Sequence, residues 1–534
     1  MTNRLWVSLF VVFAFLLLGT LGVRPLYKAD ESRYAEIPRE MVASGDWLTP
    51  RLNDFKYFEK PPLQYWATAV FFKLFGEHDW VARLWTALAA VAGVALVFLA
   101  GRKLFSPEAG ALGAAVLAGC PLYVMLGQIN TLDMALSFFL SAAIFAFALQ
   151  RFHLFWAACA LAVLSKGLIG IVLPMGAIGL YVLVKRDWQL LRKMKLIAGP
   201  LVFLAVAAPW FIAVSAANGE FAYFFFVQEH FQRFTTKMHG RYQPMWYFLP
   251  IVAAGIAPWL LPFFSSSFSS LRAISQKEKK DGRELDGPMF LVLWLSVVFV
   301  FFSVSGSKLP SYILPMFPAL ALLIGRSIAL AQPRRLLAAQ AALSSVAGIA
   351  IVILGSQISN FFKPDLAELA GGYAPWLVAA GAFLAAGSIG AGAAALRGRI
   401  PASIALLAIG SFACTLTALV GHRELAPAYS MASQARAVSQ GAQVFAVDFY
   451  DHTLPWYLRR AVTMVRYRDE LEVAIGWEPQ KFIPDLAGFA RAWTAAPAAY
   501  AVFSSSGFEN LKKEIDVPME IVSRGPRYTI VRKP

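Results

Sequence analysis

Ionisable side chains crowd one short stretch of an otherwise apolar chain. Asp30-Glu31-Ser32-Arg33-Tyr34-Ala35-Glu36-Ile37-Pro38-Arg39-Glu40-Met41, then Gly45-Asp46-Trp47, then Tyr57-Phe58-Glu59-Lys60-Pro61-Pro62 form the densest polar cluster ahead of the C-terminal tail. Asp30 stands where a helix would start, so capping of backbone N–H groups accounts for it as well as catalysis does. Arg33, Glu36, Arg39 and Glu40 fall at helical neighbour spacings, for which surface ion pairs suffice. Lys60, just ahead of Leu63-Gln64-Tyr65-Trp66, places a cation at headgroup depth, where it either snorkels or binds. Arg241 in His239-Gly240-Arg241-Tyr242 and Lys308 with Tyr312 in Ser307-Lys308-Leu309-Pro310-Ser311-Tyr312 reach the same face. Cations and a phenol converging there suit a lipid-linked phosphate, which takes charge-assisted hydrogen bonds from several donors at once. Asp133 and Lys166 lie beside apolar runs, either as functional charges or as a pair. His230 and His239 with Glu59 could hold a divalent ion, although no tight ligand spacing supports a metal site.

Such residues need a frame, and the composition says which. Of 534 residues, 58% are apolar and 15% charged, against about 25% charged in a soluble domain. The chain reads as a polytopic α-helical membrane protein. Runs of about 20 apolar residues predict thirteen spans near 5–23, 81–100, 108–124, 133–149, 153–170, 171–184, 196–214, 247–264, 288–304, 312–330, 336–355, 375–396 and 400–420. Ser165-Lys166-Gly167 splits one long stretch into a hairpin, which keeps Lys166 away from mid-membrane. The first span, behind Arg4, reads as an uncleaved anchor. With the N-terminus cytoplasmic, nineteen basic residues and six acids fall inside, so most of the net charge of +16 is a topology signal. A basic surface for nucleic acid is thereby excluded. Cys120, Cys159 and Cys414 each lie in apolar runs and offer neither a disulfide framework nor a CxxC site.

Two segments stand outside the membrane in this reading. The first outer loop, 24–80, is predicted to carry an amphipathic helix along the interface, with Tyr34, Ile37 and Met41 on one face and a kink at Pro38. The chain divides into a membrane domain at 1–420 and a small α/β domain at 421–534, with strands at Gln443 to Val447 and Tyr500 to Phe503. A hairpin is expected around Arg524-Gly525-Pro526, and helices at Leu454 to Ala461 and Gly507 to Ile515.

In this order, Asp30 to Glu36, Gly45-Asp46-Trp47, Tyr57-Phe58-Glu59-Lys60-Pro61, Thr131-Leu132-Asp133 and Lys308-Leu309-Pro310-Ser311-Tyr312 closely resemble the lipid A aminoarabinose transferases. These belong to the protein O-mannosyltransferase-like branch of the GT-C glycosyltransferases. The resemblance covers essentially the whole chain, and its loop pattern is more specific for the superfamily than for the sugar. It implies an inverting transfer of 4-amino-4-deoxy-L-arabinose or a similar sugar from undecaprenyl phosphate to lipid A, at the periplasmic face of the bacterial inner membrane. Polymyxin resistance would be the phenotype. By matching positions, Asp30 and Asp133 would be the catalytic carboxylates, while Lys60, Arg241, Tyr312 and Lys308 would bind the donor phosphate. Glu59, Arg33, Tyr57 and Lys166 would support them. No cofactor is required, with a divalent ion near Glu59 and His239 left open. The rivals are a transferase of this fold with a protein or other glycan acceptor, and a flippase for a lipid-linked sugar. The large outer loop and outer domain favour chemistry on one face over alternating access.

Overall fold

Serine, proline and glycine set the ends of the apolar helices. Ser106 Oγ accepts a hydrogen bond of 3.0 Å from the Ala109 N–H, and Pro107 occupies the first helical position of Pro107–Ala118. Pro121 opens Pro121–Gly127, bent by 68° from that helix. Gly167, at φ +95°, turns the chain between Phe152–Lys166 and Ile169–Lys185, so the expected hairpin is present. Asp286 caps Gly287–Val304 by accepting from the Met289 N–H at 3.2 Å. The computed structural model describes residues 3–232, 243–266 and 285–534, and helix lies in all thirteen expected apolar segments. Among the described residues, seven helices are long and apolar enough to cross a membrane, or nine if each of two bent pairs is one span. Arg4–Gly19, Leu132–Ala148, Phe152–Lys166 and Ile169–Lys185 are shorter apolar helices. The protein is a multi-pass membrane protein.

Small residues let these helices meet closely. A Cβ on Gly325 would come within 2.3 Å of the Gly113 backbone nitrogen, so Pro310–Ala331 and Pro107–Ala118 touch through their backbones. Around that contact, Leu112, Leu117, Trp259, Trp294 and Leu322 are fully buried.

Past the last membrane helix the chain builds a mixed sheet. The hydrogen-bonded order is β5 (Phe482–Ile483), β4 (Thr463–Val465), β3 (Gln443–Val447), β6 (Ala499–Ser504), β8 (Tyr528–Arg532) and β7 (Glu520–Arg524). The first four strands are parallel and β8 and β7 are antiparallel. Alternation along β3 explains why both faces are covered: Phe445 and Val447 pack on Phe489 and Trp493, while Val444 and Ala446 pack on Leu454 and Ile530. β4, β5 and the helix Leu486–Ala495 go beyond the elements expected from sequence, because the two strands are too short to show alternation.

The helix of the first loop, Asp30–Ser44, runs through Pro38 and ends at Gly45, whose φ of +75° lets its N–H reach the Met41 carbonyl. It does not lie bare along the interface as its amphipathicity suggested. Tyr34, Ile37 and Met41 pack against Met464, Leu471, Ile475 and Phe482, so the C-terminal domain covers that face. A two-stranded hairpin follows, β1 (Arg51–Leu52) and β2 (Phe55–Lys56), turning at Asn53 and Asp54 with φ of +53° and +66°. Its tip docks on the same domain: the Asn53 amide donates to the Val462 carbonyl at 2.9 Å and accepts from the Val462 N–H at 2.7 Å.

Candidate active site

Asp30 is the first residue of its helix, but its side chain does not cap it. Ala29 holds the capping position without a side-chain bond, while the Asp30 carboxylate accepts from Arg33 Nη1 at 3.1 Å and stays 42% exposed. The expected surface ion pairs are also corrected: Arg33, Glu36 and Arg39 are buried, because the C-terminal domain closes over the helix. Arg39 donates to Glu36 through two bonds of 2.7 and 2.6 Å and to the Arg459 carbonyl at 3.0 Å. Arg33 turns its other Nη to Glu470 at 2.5 Å, and Glu470 is also bonded to His452. Asp30, Arg33, Glu470 and His452 thus form a relay joining the two ends of the sequence.

Beneath Asp30, Glu31 anchors the helix. Its carboxylate accepts from Arg24 at 2.6 and 3.0 Å, from Arg83 at 2.8 and 3.0 Å, and from the Tyr27 and Asn130 N–H groups, each at 3.2 Å. Burial alone would raise this carboxyl, but the Arg24 and Arg83 guanidiniums hold it down, at about 2. Asn130 carries the tie onward, donating to the Glu31 carbonyl at 3.1 Å and accepting from Gln64 at 2.9 Å. The residues that hold Asp133 in sequence are therefore bolted to the helix that holds Asp30.

Two phenols lie near Arg33 and Glu59. Tyr57 and Tyr65 are buried, and neither hydroxyl has a hydrogen-bond partner among the described residues. Burial raises both well above the ordinary value, with Arg33 opposing and Glu59 and Glu470 adding to the shift. Both therefore stay protonated and able to donate to a ligand oxygen. Lys60 lies at 3.6 Å from Glu59 and 3.3 Å from Glu229, and donates to the Glu59 carbonyl at 2.8 Å.

A second group sits on the membrane helices. Lys166 is ion-paired with Asp133, and its ammonium stands 4.3 Å from the Tyr312 ring centroid. Pairing of those two charges was one of the two readings the sequence allowed. Lys308 is buried and donates to the Gln243 and Ser305 carbonyls at 2.8 and 2.7 Å. Arg241 and His239 lie outside the described residues, as does the side chain of His230, and so does the divalent-ion site expected at Glu59 and His239. Among the described residues no group of three or more His, Cys, Asp or Glu is placed to hold a metal.

Glu31, Asn130, Tyr65, His452 and Glu470 escaped the sequence reading. The one signal for Glu31 was the demand of Arg83 inside an apolar helix for a partner; Glu470, in a charged surface-like run, gave none.

The chain is similar to known proteins. Residues 431–533 match the family described as aminoarabinose transferase C-terminal domain, and residues 59–212 match dolichyl-phosphate-mannose-protein mannosyltransferase. An undecaprenyl phosphate-alpha-4-amino-4-deoxy-L-arabinose arabinosyl transferase of Shewanella sediminis is 30% identical over 502 residues, 89% of this chain and 88% of that protein. The protein of that name from Edwardsiella ictaluri is 32% identical over 60% of this chain, and the match spans 58% of that relative's length. Crystal structures of ArnT from Cupriavidus metallidurans superpose with TM-scores of 0.92 bound to undecaprenyl phosphate and 0.89 in the apo state. Both are 34% identical, and the match covers at least 98% of each chain.

Proposed function

Because the chain belongs to the aminoarabinose transferase family, we propose that it moves 4-amino-4-deoxy-L-arabinose from undecaprenyl phosphate to lipid A at the periplasmic face of the bacterial inner membrane. The observation that carries this reading is the partly exposed Asp30 carboxylate, held by a buried Arg33 near two phenols without a hydrogen-bond partner among the described residues, on the same outer loop that carries Lys60, itself paired with Glu59 and Glu229. A polyprenyl phosphate leaves without protonation, so catalysis falls to cations that neutralise its growing charge. In this reading Lys60, with Arg241, Lys308 and Tyr312, takes the donor phosphate, and no metal is required. Asp133 holds Lys166 beside Tyr312. Phosphate oxygens of the acceptor are already ionised, so Asp30 orients the acceptor or stabilises positive charge at the anomeric carbon. For a hydroxyl acceptor it would be the general base, with inversion.

An apolar cleft supports a lipid donor. About 750 Å³ opens among helices 245–266, 287–304 and 310–331, lined by Leu249, Phe263, Val292, Phe299 and Met316, and Met316 follows Tyr312 by one helical turn. Thirteen crossings, a cytoplasmic N-terminus and a periplasmic domain from 421 onward complete the proposal.

Purified Asp30→Asn protein, supplied with undecaprenyl-phosphate aminoarabinose and lipid A, is expected to lose about a hundredfold or more in turnover while keeping its fold. Near wild-type turnover would overturn the role of Asp30. Lipid A of unchanged mass from cells with and without the protein would move the acceptor elsewhere.

A further inference from the structure

A cavity of about 1130 Å³ lies on the far side of the Arg24–Glu31 pair, where the ends of the first and last membrane helices meet the C-terminal domain. Arg24, Arg423, Arg436, Arg459 and Arg460 line it against a single acid, Asp79. Both oxygens of Asp79 are taken, one by Trp456 Nε1 at 2.8 Å and one by the Tyr457 hydroxyl at 3.0 Å. Three of the guanidiniums already meet a carboxylate: Arg24 meets Glu31, Arg423 meets Glu424 at 3.0 Å and Arg459 meets Glu77 at 2.7 Å. The other two have none among the described residues. Arg460 donates to the Ser439 carbonyl at 3.1 Å, and Arg436 is exposed without a partner.

Two uncompensated guanidiniums in one concave wall form an anion site, and their planar forks suit phosphate oxygens. The volume is far above that of a lone ion, whose neighbour in scale, one water, takes about 30 Å³. Gly22 and Val23 at one helix end and Ala426 and Pro427 at the other belong to its rim. Both tips stand at the ends of apolar helices, Arg4–Gly19 and Ile400–Tyr429.

We propose that this cavity binds the phosphate headgroup of a membrane lipid, with Arg436 and Arg460 as its principal donors. Arg24 belongs to both the cavity wall and the buried pair with Glu31, one residue from Asp30. An occupied cavity therefore braces the foot of the helix that carries the catalytic carboxylate. The proposal does not depend on the reaction, because binding is read without turnover.

Native mass spectrometry of the full chain, released from a neutral detergent, tests it with dioleoylphosphatidylglycerol, dioleoylphosphatidylcholine and lipid A as probes. Wild type is expected to retain the anionic lipids over phosphatidylcholine. The Arg436→Ala/Arg460→Ala protein should lose about tenfold in their retention, and Arg436→Lys/Arg460→Lys should recover part of it, which controls for folding. Retention of lipid A alone would assign the cavity to the acceptor, and retention of both to phosphate headgroups at large. Equal retention by wild type and the alanine variant would overturn the proposal. Displacement of bound lipid by millimolar inorganic phosphate would also overturn it, in favour of a simple ion.

Discussion

At the level of single residues, one buried carboxylate carries more of the architecture than any residue of the reaction. Glu31 neutralises two guanidiniums and satisfies two backbone N–H groups. Glu31→Gln keeps the shape and removes the charge, leaving Arg24 and Arg83 buried without a counter-ion. Breaking one side of such a pair costs about 3–5 kcal/mol, so the variant should unfold at markedly lower temperature in detergent. The pH dependence has a definite sign. Its carboxyl falls from an ordinary 4.5 to about 2 on folding, so the stabilisation is complete above pH 4.5 and is lost as pH falls towards 2. Acid should therefore narrow the difference between wild type and Glu31→Gln; a constant difference from pH 7 to pH 3 would refute this. Asp30 was legible in the sequence as a charged residue at a helix start, where capping and catalysis were both open, and capping is the reading that the structure removes. Only the placement of Arg33 shows that its carboxylate faces a side chain and not the backbone.

Among elements, legibility followed length. Long apolar runs, the Lys166 hairpin and the turn at Gly525 announced themselves, because hydrophobic patterning and turn chemistry are local. β4, β5 and the Asn53 hairpin did not, since two or three residues carry no period and their meaning lies in what they touch. The expected amphipathic helix is present, but its cover was illegible for the same reason: amphipathicity names an apolar face without naming what packs on it. Asn53 gives this a test. Truncation to alanine leaves the Val462 N–H and carbonyl without their partners, at about 2 kcal/mol. Limited proteolysis should then cut the C-terminal domain of Asn53→Ala faster than that of wild type, with helices of the membrane domain unaffected. Equal cutting rates would mean that the hairpin tip does not hold the domain.

For the whole molecule, charge reads as direction. In the proposed orientation the loops rich in basic residues face the cytoplasm, which puts residue 397 inside and residue 506 outside. Both positions are exposed. A membrane-impermeant maleimide should therefore label Ser506→Cys in cells with a permeabilised outer membrane, and label Arg397→Cys only after lysis. The opposite pattern would reverse the orientation. What the full sequence could not disclose is that its two ends share one site, because contacts between residues 33 and 470 leave no trace in local pattern.

That shared site also sets an order in time. Arg33 emerges early in synthesis, but Glu470, the carboxylate that takes its second Nη while the first holds Asp30, is made near the end, and Val462, the grip for Asn53, only shortly before it. A chain halted after its last membrane helix would hold its spans and its first loop yet lack the face that completes them. Under the proposed function, transfer would wait until Glu470 and Val462 have joined Arg33 and Asn53.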